Sequence, residues 1–409
     1  MINYYHSSLD ALLYSERIGL EKTLTSNFKN LFDYDPEVIY LNNASTGILP
    51  RKSAAEMVKF VQAMALNGEL QIDQMFQTQA EFRTQASRLL NVAAEDTTFV
   101  KNTTDGLSIA LHSVDWLPGD NMIVQEDAFV ASLYLAHYCF PKVEKRYLPL
   151  LSTDDFYCRL ERLIDERTRA VVVDLVHFLS GYRIDLQRLG QITKNSNAYL
   201  VVDGIQALGA VQVDLNRTPV DFFAAGGVKW LLGPAGTGLL YVRNQILDEL
   251  TPFGISWAGA EYEDISRLYP VRPLYPDARR FQPVNENYIG MVGLTASLEL
   301  LNQLGPAKIE QRILNLTRMA LIGLKDLGCE ILTPDQDEKR SGIVTFKHPH
   351  LESASLHKRL LANKVICSLR EGWLRFAIHF YSEETELEKV IALIDSLVNQ
   401  QRHRRKINA

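Results

Sequence analysis

The chain has no CxxC pair, and its four cysteines, Cys139, Cys158, Cys329 and Cys367, stand far apart in 409 residues. That spacing argues against a zinc cluster and a disulfide framework, and predicts free thiols in a reducing cytoplasm. No apolar run approaches the length that crosses a bilayer, so no membrane partner is expected. The opening MINYYHSSLDALLYSERIGL lacks the basic start and continuous apolar core of a secretory signal. Positive charge is scarce as a field: the net charge is −6, which excludes recruitment of nucleic acid or anionic membrane by charge alone. The one basic run, RHRRK at 402–406, reads as a solvated terminus. Internal repeats and low-complexity linkers are absent.

What is present fits a globular chain of two unequal lobes, with 46% apolar and 22% charged residues. Residues 8–30 have helical spacing and lead to a short strand, VIYLNNA, ending near Ala44. Helical segments follow at 52–66 and 79–90. From residue 97, short apolar strands alternate with helices: TTFVKN before a helix near Thr104, NMIVQE before one from Val130, then AVVVDLV, then YLVVDG before IQALGA. These strands are rich in Val, Leu and Ile without strict alternation, as expected when both faces of a parallel sheet are covered. Ligands of such sheets bind at the carboxyl ends of the strands. The last third differs. Helices at 288–304 and 307–327 precede separate strands GCEILT, GIVTFKH and WLRFAIHF, and a helix at 383–400 ends a second, smaller α+β lobe. Its boundary is expected within RRFQPVNENY, 279–288.

Four stretches carry chemistry. In GGVKWLLGPAGTG, 226–238, Lys229 lies among glycines and apolar residues. A lysine drawn out of water loses basicity and becomes a nucleophile and base, while glycines allow close backbone approach. Taken alone, the stretch is better explained by a plain loop lysine beside a tight turn, and GPAGTG has neither glycine order of a nucleotide loop. Asp203 ends an apolar strand, where an unpartnered carboxylate is costly; a helix cap and a cationic ring nitrogen are both suitable partners. Asn102, Thr103 and Thr104 open a helix, the place for either a cap or an anion. In WLRFAIHF, alternation puts Arg375 and His379 opposite Leu374 and Phe376. There Arg375 either meets water on a half-exposed strand or clamps a carboxylate.

Together these stretches resemble the class V, cysteine-desulfurase-like branch of the fold type I pyridoxal-phosphate enzymes, closest to its isopenicillin-N-epimerase-like and aminotransferase members. The similarity runs from YLNNASTGILP at residue 40 to LREGWLRFAIHFYSEE at 369–384. It implies an α/β fold with a mostly parallel seven-stranded sheet between helices and a smaller C-terminal α+β domain. By this resemblance residues 1–45 pack with the small domain, 46–285 form the cofactor-binding domain and 286–409 the small one. It further implies pyridoxal 5'-phosphate, with Lys229 as the Schiff base lysine, Asp203 at the pyridine nitrogen and Gln206 at the phenolic oxygen. The amides near Thr103, together with Thr104, are implied to seat the phosphate. Phe129 stacks on the ring, and Asn285 reaches the phosphate of a neighbouring subunit, which makes the protein a homodimer with shared sites. Arg375 and Asn43 are the implied substrate-binding residues, and no metal is involved.

Departures from the resemblance narrow the activity. The loop before the arginine strand is cut to REGW, 370–373, with no cysteine, and Cys367 lies in an apolar VICSL stretch that reads as core. Persulfide chemistry is therefore not expected. Phe129 stands where desulfurases stack a histidine, and Gly227 and Val228 where they place phosphate ligands. Transamination is the expected reaction, since one mobile lysine serves both carbons. Epimerisation and β-elimination of a C–S bond are the alternatives. A non-catalytic binder has no need for Lys229 and Asp203 together, and a nucleotide-dependent oxidoreductase lacks its glycine fingerprint.

Overall fold

The computed structural model describes residues 28–68, 72–150, 153–261, 269–283 and 286–407. Much of the helical segment expected at 8–30 and the boundary residue Asn285 lie outside these described residues. The chain enters through a two-residue strand, β1 (Ile39–Tyr40), and two long helices, α1 (Arg51–Asn67) and α2 (Ile72–Leu90).

A seven-stranded sheet follows, made of β2 (Thr97–Val100), β3 (Asn121–Gln125), β4 (Glu144–Leu148), β5 (Thr168–Asp174), β6 (Tyr199–Asp203), β7 (Phe222–Gly226) and β8 (Gly238–Val242). Its order is β2-β8-β7-β6-β5-β3-β4, and only β8 runs against its neighbours. Between the strands lie α3 (Thr103–Ser113), α4 (Val130–Tyr134), α5 (Thr153–Leu163) and α6 (Leu186–Lys194).

Burial explains the missing alternation in sequence. Every residue of β2, β3, β6, β7 and β8 is buried. Successive residues point into two different cores: Val171, Leu200, Val202 and Phe223 into one, Val172, Tyr199, Val201 and Phe222 into the other. The first core is closed by α2 and by α7 (Tyr288–Leu304), whose Met291, Leu294 and Leu298 are buried against it. The second is closed by α3 through Leu107, Ala110 and Leu111.

After α7 come α8 (Pro306–Asp326), β9 (Glu330–Ile331), β10 (Ile343–Lys347), α9 (Ser353–Ala362), β11 (Val365–Ile366), β12 (Ser368–Arg370), β13 (Trp373–Ala377) and α10 (Glu384–Ile407). Four of these strands form an antiparallel sheet, β12-β13-β10-β9. Leu316, Ala320 and Leu324 of α8, with Val390 and Ile394 of α10, cover it in a third core. β11 instead pairs in parallel with β1, so the N-terminal segment adds to this part of the molecule.

Three expectations change. IQALGA is a run of turns rather than a helix, because Gly209 takes φ +96° at a point where a Cβ would run into the Trp230 carbonyl. The strand in WLRFAIHF stops at Ala377, and Phe380 turns away into the first core. Arg375 does not meet water at all: it is 2% exposed.

Candidate active site

The carboxyl ends of β5, β6 and β7 converge on one region. Lys229 follows β7 in a tight reversal, held by Gly233 N–H to the Gly227 carbonyl at 2.8 Å and Leu232 N–H to the Lys229 carbonyl at 3.1 Å. The close backbone approach expected of the flanking glycines is made by others. Gly47 donates its N–H to the Val228 carbonyl at 2.7 Å, and a Cβ there would run into the Lys229 carbonyl. Gly227 and Gly233 pack on Thr237 and Leu294 instead.

The Lys229 side chain is partly buried, with Nζ 5.3 Å from the centre of the Phe129 ring. Burial pulls its pKa down to about 8, and the Arg375 and Arg370 charges act in the same direction against the pull of Asp203 and Asp174. An amine in this range is partly neutral near physiological pH.

Asp203, 3% exposed, is not a helix cap. One oxygen accepts the Ile205 N–H at 2.9 Å in a local turn, and Lys229 is the cation that acts on the carboxylate. Burial raises its pKa to about 6 even with Lys229 nearby. Beside it, as its register partner across the ladder, stands Asp174. Sequence reasoning passed over Asp174, although AVVVDLV ends an apolar run in an aspartate just as YLVVDG does.

Gln206 is buried, with Nε2 donating to the Ala44 carbonyl at 3.0 Å and Oε1 accepting from Trp230 Nε1 at 2.9 Å. Its amide thus ties the lysine loop to the N-terminal segment. Phe129 is exposed by 40% and its N–H donates to Asp174 Oδ2 at 2.8 Å.

At the start of α3, Asn102 caps by accepting the Asp105 N–H at 2.9 Å, while Asp105 accepts the Lys101 N–H at 3.0 Å. Thr103 is buried, and its hydroxyl accepts the Gly226 N–H at 2.9 Å, tying the helix to β7. Thr104 is exposed, and the first amides of a helix have no intrahelical partner, so this end of α3 is open to an anion. On the lysine side, the Gly226 and Gly227 amides are already donated, to Thr103 and to the Thr237 carbonyl.

Arg375 is a buried cation with neutral partners. Its Nε donates to Ser368 at 3.2 Å, one terminal nitrogen to the Phe178 carbonyl at 2.6 Å and the other to Ser45 at 3.1 Å. Burial, and then the Arg370 charge, lower its pKa to about 10. A buried guanidinium without a carboxylate partner is costly unless an anion joins it. Asn43 has no exposed surface. Its Nδ2 donates to the Ala377 carbonyl at 2.9 Å and its Oδ1 accepts from the Tyr381 hydroxyl at 2.6 Å. Cys367 is buried, its thiol pushed up to about 12. Among the described residues no group of His, Cys, Asp or Glu is placed to hold a metal ion, and no helix is long and apolar enough to cross a membrane.

An open, mostly parallel seven-stranded sheet with a lysine just beyond β7 and an aspartate ending β6 is the architecture of fold type I pyridoxal-phosphate enzymes. A solved C-DES mutant with glycine covalently linked to its PLP cofactor matches with a TM-score of 0.84 and 22% identity, over 90% of this chain and 99% of that one. The chain belongs to the class-V aminotransferase family, whose profile matches residues 39–389. A probable cysteine desulfurase of Pyrococcus abyssi is 26% identical, with 90% of this chain and 96% of that protein aligned. The isopenicillin N epimerase of Streptomyces clavuligerus is also 26% identical, again over 90% and 96%.

The cofactor of this family is pyridoxal 5'-phosphate, and the donor set here fits it. The site offers a partly neutral amine at Lys229, a buried carboxylate at Asp203 at the end of the neighbouring strand, and the first helix amides beside Thr104.

Proposed function

We propose that this protein is an aminotransferase that takes the α-proton of an amino acid with Lys229 as the base. The observation that carries the reading is a lysine of lowered basicity facing a buried carboxylate, Asp203, across the ends of adjacent strands. Bound pyridoxal phosphate supplies an aldehyde that condenses with amines and a ring that accepts the electrons released at Cα.

The chain's own residues do the rest. Asp203 keeps a proton on the ring nitrogen, Gln206 stands at the phenolic oxygen, and Thr103 and Thr104 with the first amides of α3 take the phosphate. Phe129 covers the ring and excludes water above it. Asn285 is assigned to a neighbouring subunit's phosphate, which makes the working unit a homodimer. Exposed Val58, Val61 and Leu66 on α1 are in keeping with a covered surface. The division into a cofactor domain at 46–285 and a small domain at 286–409, with 1–45 packed on the latter, belongs to the same reading, as does a cytoplasmic location.

Arg375 holds the substrate carboxylate, and Asn43 acts by fixing the Ala377 carbonyl and Tyr381. Once its amine is free, Lys229 can remove a proton from Cα and return it to the neighbouring carbon. The opposite wall offers Phe129 rather than a second base, which favours this over epimerisation.

β-Elimination uses the same single base, and product analysis separates the two. Incubated with a panel of amino acids, the holoenzyme should yield pyridoxamine phosphate and one keto acid per site without ammonia. Release of ammonia with every turnover would replace transamination by elimination.

A further inference from the structure

Asp174 has no part in the reaction just described, yet it stands beside the residues that do. β5 and β6 pair in parallel, and Asp174 and Asp203 are direct partners in the ladder. Ala170 and Val172 on β5 point into the same core as Tyr199 and Val201 on β6. The two aspartates, two residues further along each strand, therefore leave the sheet on that same face, from strands about 4.8 Å apart. Each is 3% exposed.

Asp174 Oδ2 accepts the Phe129 N–H at 2.8 Å, and Oδ1 is fully buried without a partner among the described residues. The charged groups acting on it come from three elements: Asp203 at the end of β6, Asp127 after β3, and Lys229 beyond β7. Burial and the two carboxylates oppose ionisation and outweigh the Phe129 N–H and Lys229, which favour it, so the Asp174 carboxyl titrates well above the ordinary range. Asp203 is raised less, to about 6. Two carboxyls in dry, adjacent positions titrate as a pair, and the first proton stays on the less favoured anion.

We propose that Asp174 is a positioning residue that carries the single proton of an Asp174–Asp203 pair, leaving Asp203 as the only negative charge toward the cofactor ring and fixing Phe129 over Lys229. This rests on the assignment of Lys229 and Asp203 to the cofactor. The neutral carboxyl does two things at once. It spares Asp203 a like charge across the ladder, and it accepts the backbone N–H that sets the ring lying 5.3 Å from Lys229 Nζ.

The test uses the full-length holoenzyme labelled at aspartate carboxyls, so that glutamate bands do not intrude. Isotope-edited infrared spectra at pH 8 should contain a protonated-carboxyl band that disappears in Asp174→Asn and in Asp174→Ala. In Asp203→Asn the band should titrate at lower pH, because its anionic neighbour is gone. A second readout is the pH midpoint for borohydride trapping of pyridoxal phosphate on Lys229. Asp174→Asn replaces one neutral group by another, so this midpoint should stay within about 0.3 pH unit, whereas loss of a charged Asp174 would lower it by about one unit or more.

A wild-type spectrum without the band, or a midpoint that falls by that unit, overturns the proposal. The two readings fail separately. Cofactor trapped on Lys229 without the band leaves the enzyme assignment standing and removes the shared proton. The band present with cofactor trapped on another lysine does the reverse.

Discussion

Stripping the cofactor and returning pyridoxal phosphate across a pH series should titrate Lys229 apart from every surface lysine. Burial holds this amine at about 8. It is then about one-tenth neutral at pH 7, against less than about one part in a thousand for an ordinary lysine titrating near 10.4. Condensation, trapped by borohydride and located by peptide mass, should rise about tenfold per pH unit below pH 7 and level off above the midpoint. Two substitutions push the midpoint in opposite directions. Asp203→Asn removes an anion that favours the ammonium and should lower it; Arg375→Met removes a cation that disfavours the ammonium and should raise it. Each shift should be on the order of one pH unit. A wild-type midpoint near 10, or shifts of the same sign in the two variants, refutes the placement of Lys229 between these charges.

Arg375→Lys keeps the charge but loses the fork, so kcat/KM should fall by about thirtyfold to a thousandfold, about 2–4 kcal/mol, mainly through KM; an unchanged KM would exclude carboxylate binding there. Gly47→Ala places a methyl against the Lys229 carbonyl, and cofactor retention on dialysis should drop while the far-ultraviolet circular dichroism stays native. Asp203 works against the stability of the empty chain. Its folded pKa of about 6 lies above the unfolded value of about 3.9, so stability falls as pH rises from 4 to 6. Cofactor-free Asp203→Asn should therefore be more stable than wild type at pH 7 by about 3 kcal/mol, with the gap closing below pH 4 in urea titrations. An equal gap at both pH values would mean that Asp203 is not held as a costly buried anion.

The sheet was legible because its strands are buried on both faces, which writes continuous Val, Leu and Ile runs into the sequence. Strand β4 was not, since EKRYL lies at the edge of the sheet, where charged residues stay in water. FFAAG carries only five residues between glycines and turns, too few for a period to emerge. IQALGA has helical composition, but Gly209 bends it where the Trp230 carbonyl comes close, a tertiary constraint with no local signature. Asp203 stood out because a charged residue ending an apolar run needs a reason, and Lys229 because a solvated lysine has no need of flanking glycines and an apolar run. Asp174 offered the same signal as Asp203 and was hidden only by having no familiar role. Alternation on β13 separated Arg375 from its apolar neighbours, yet its partners Ser45 and Phe178 come from two distant segments, so its burial could not be read from the strand. The same holds for Asn43, whose role as a tie between Ala377 and Tyr381 depends on β1 docking far along the chain.

These ties form one polar layer behind the reactive groups. His379 is fully buried and held near 4 by burial, hence neutral; its Nδ1 accepts the Phe380 N–H, so Nε2 donates to the Trp230 carbonyl at 3.0 Å. Trp230 Nε1 donates to Gln206, and Gln206 donates to Ala44. The neighbours of the lysine, the aspartate, the arginine strand and the N-terminal segment are thus linked by groups that no water reaches. Such a network is coupled, because removing one end strands the other. Gln206→Leu leaves the Trp230 N–H unpaired and Trp230→Phe leaves Gln206 Oε1 unpaired, each costing about 1–3 kcal/mol beyond lost packing. The double variant has neither orphan at that bond. Its destabilisation should therefore be smaller than the sum of the singles by about 1–2 kcal/mol in denaturant midpoints of the cofactor-free chain. Strict additivity would mean that the two side chains do not hold each other, and that the lysine loop is positioned by packing alone.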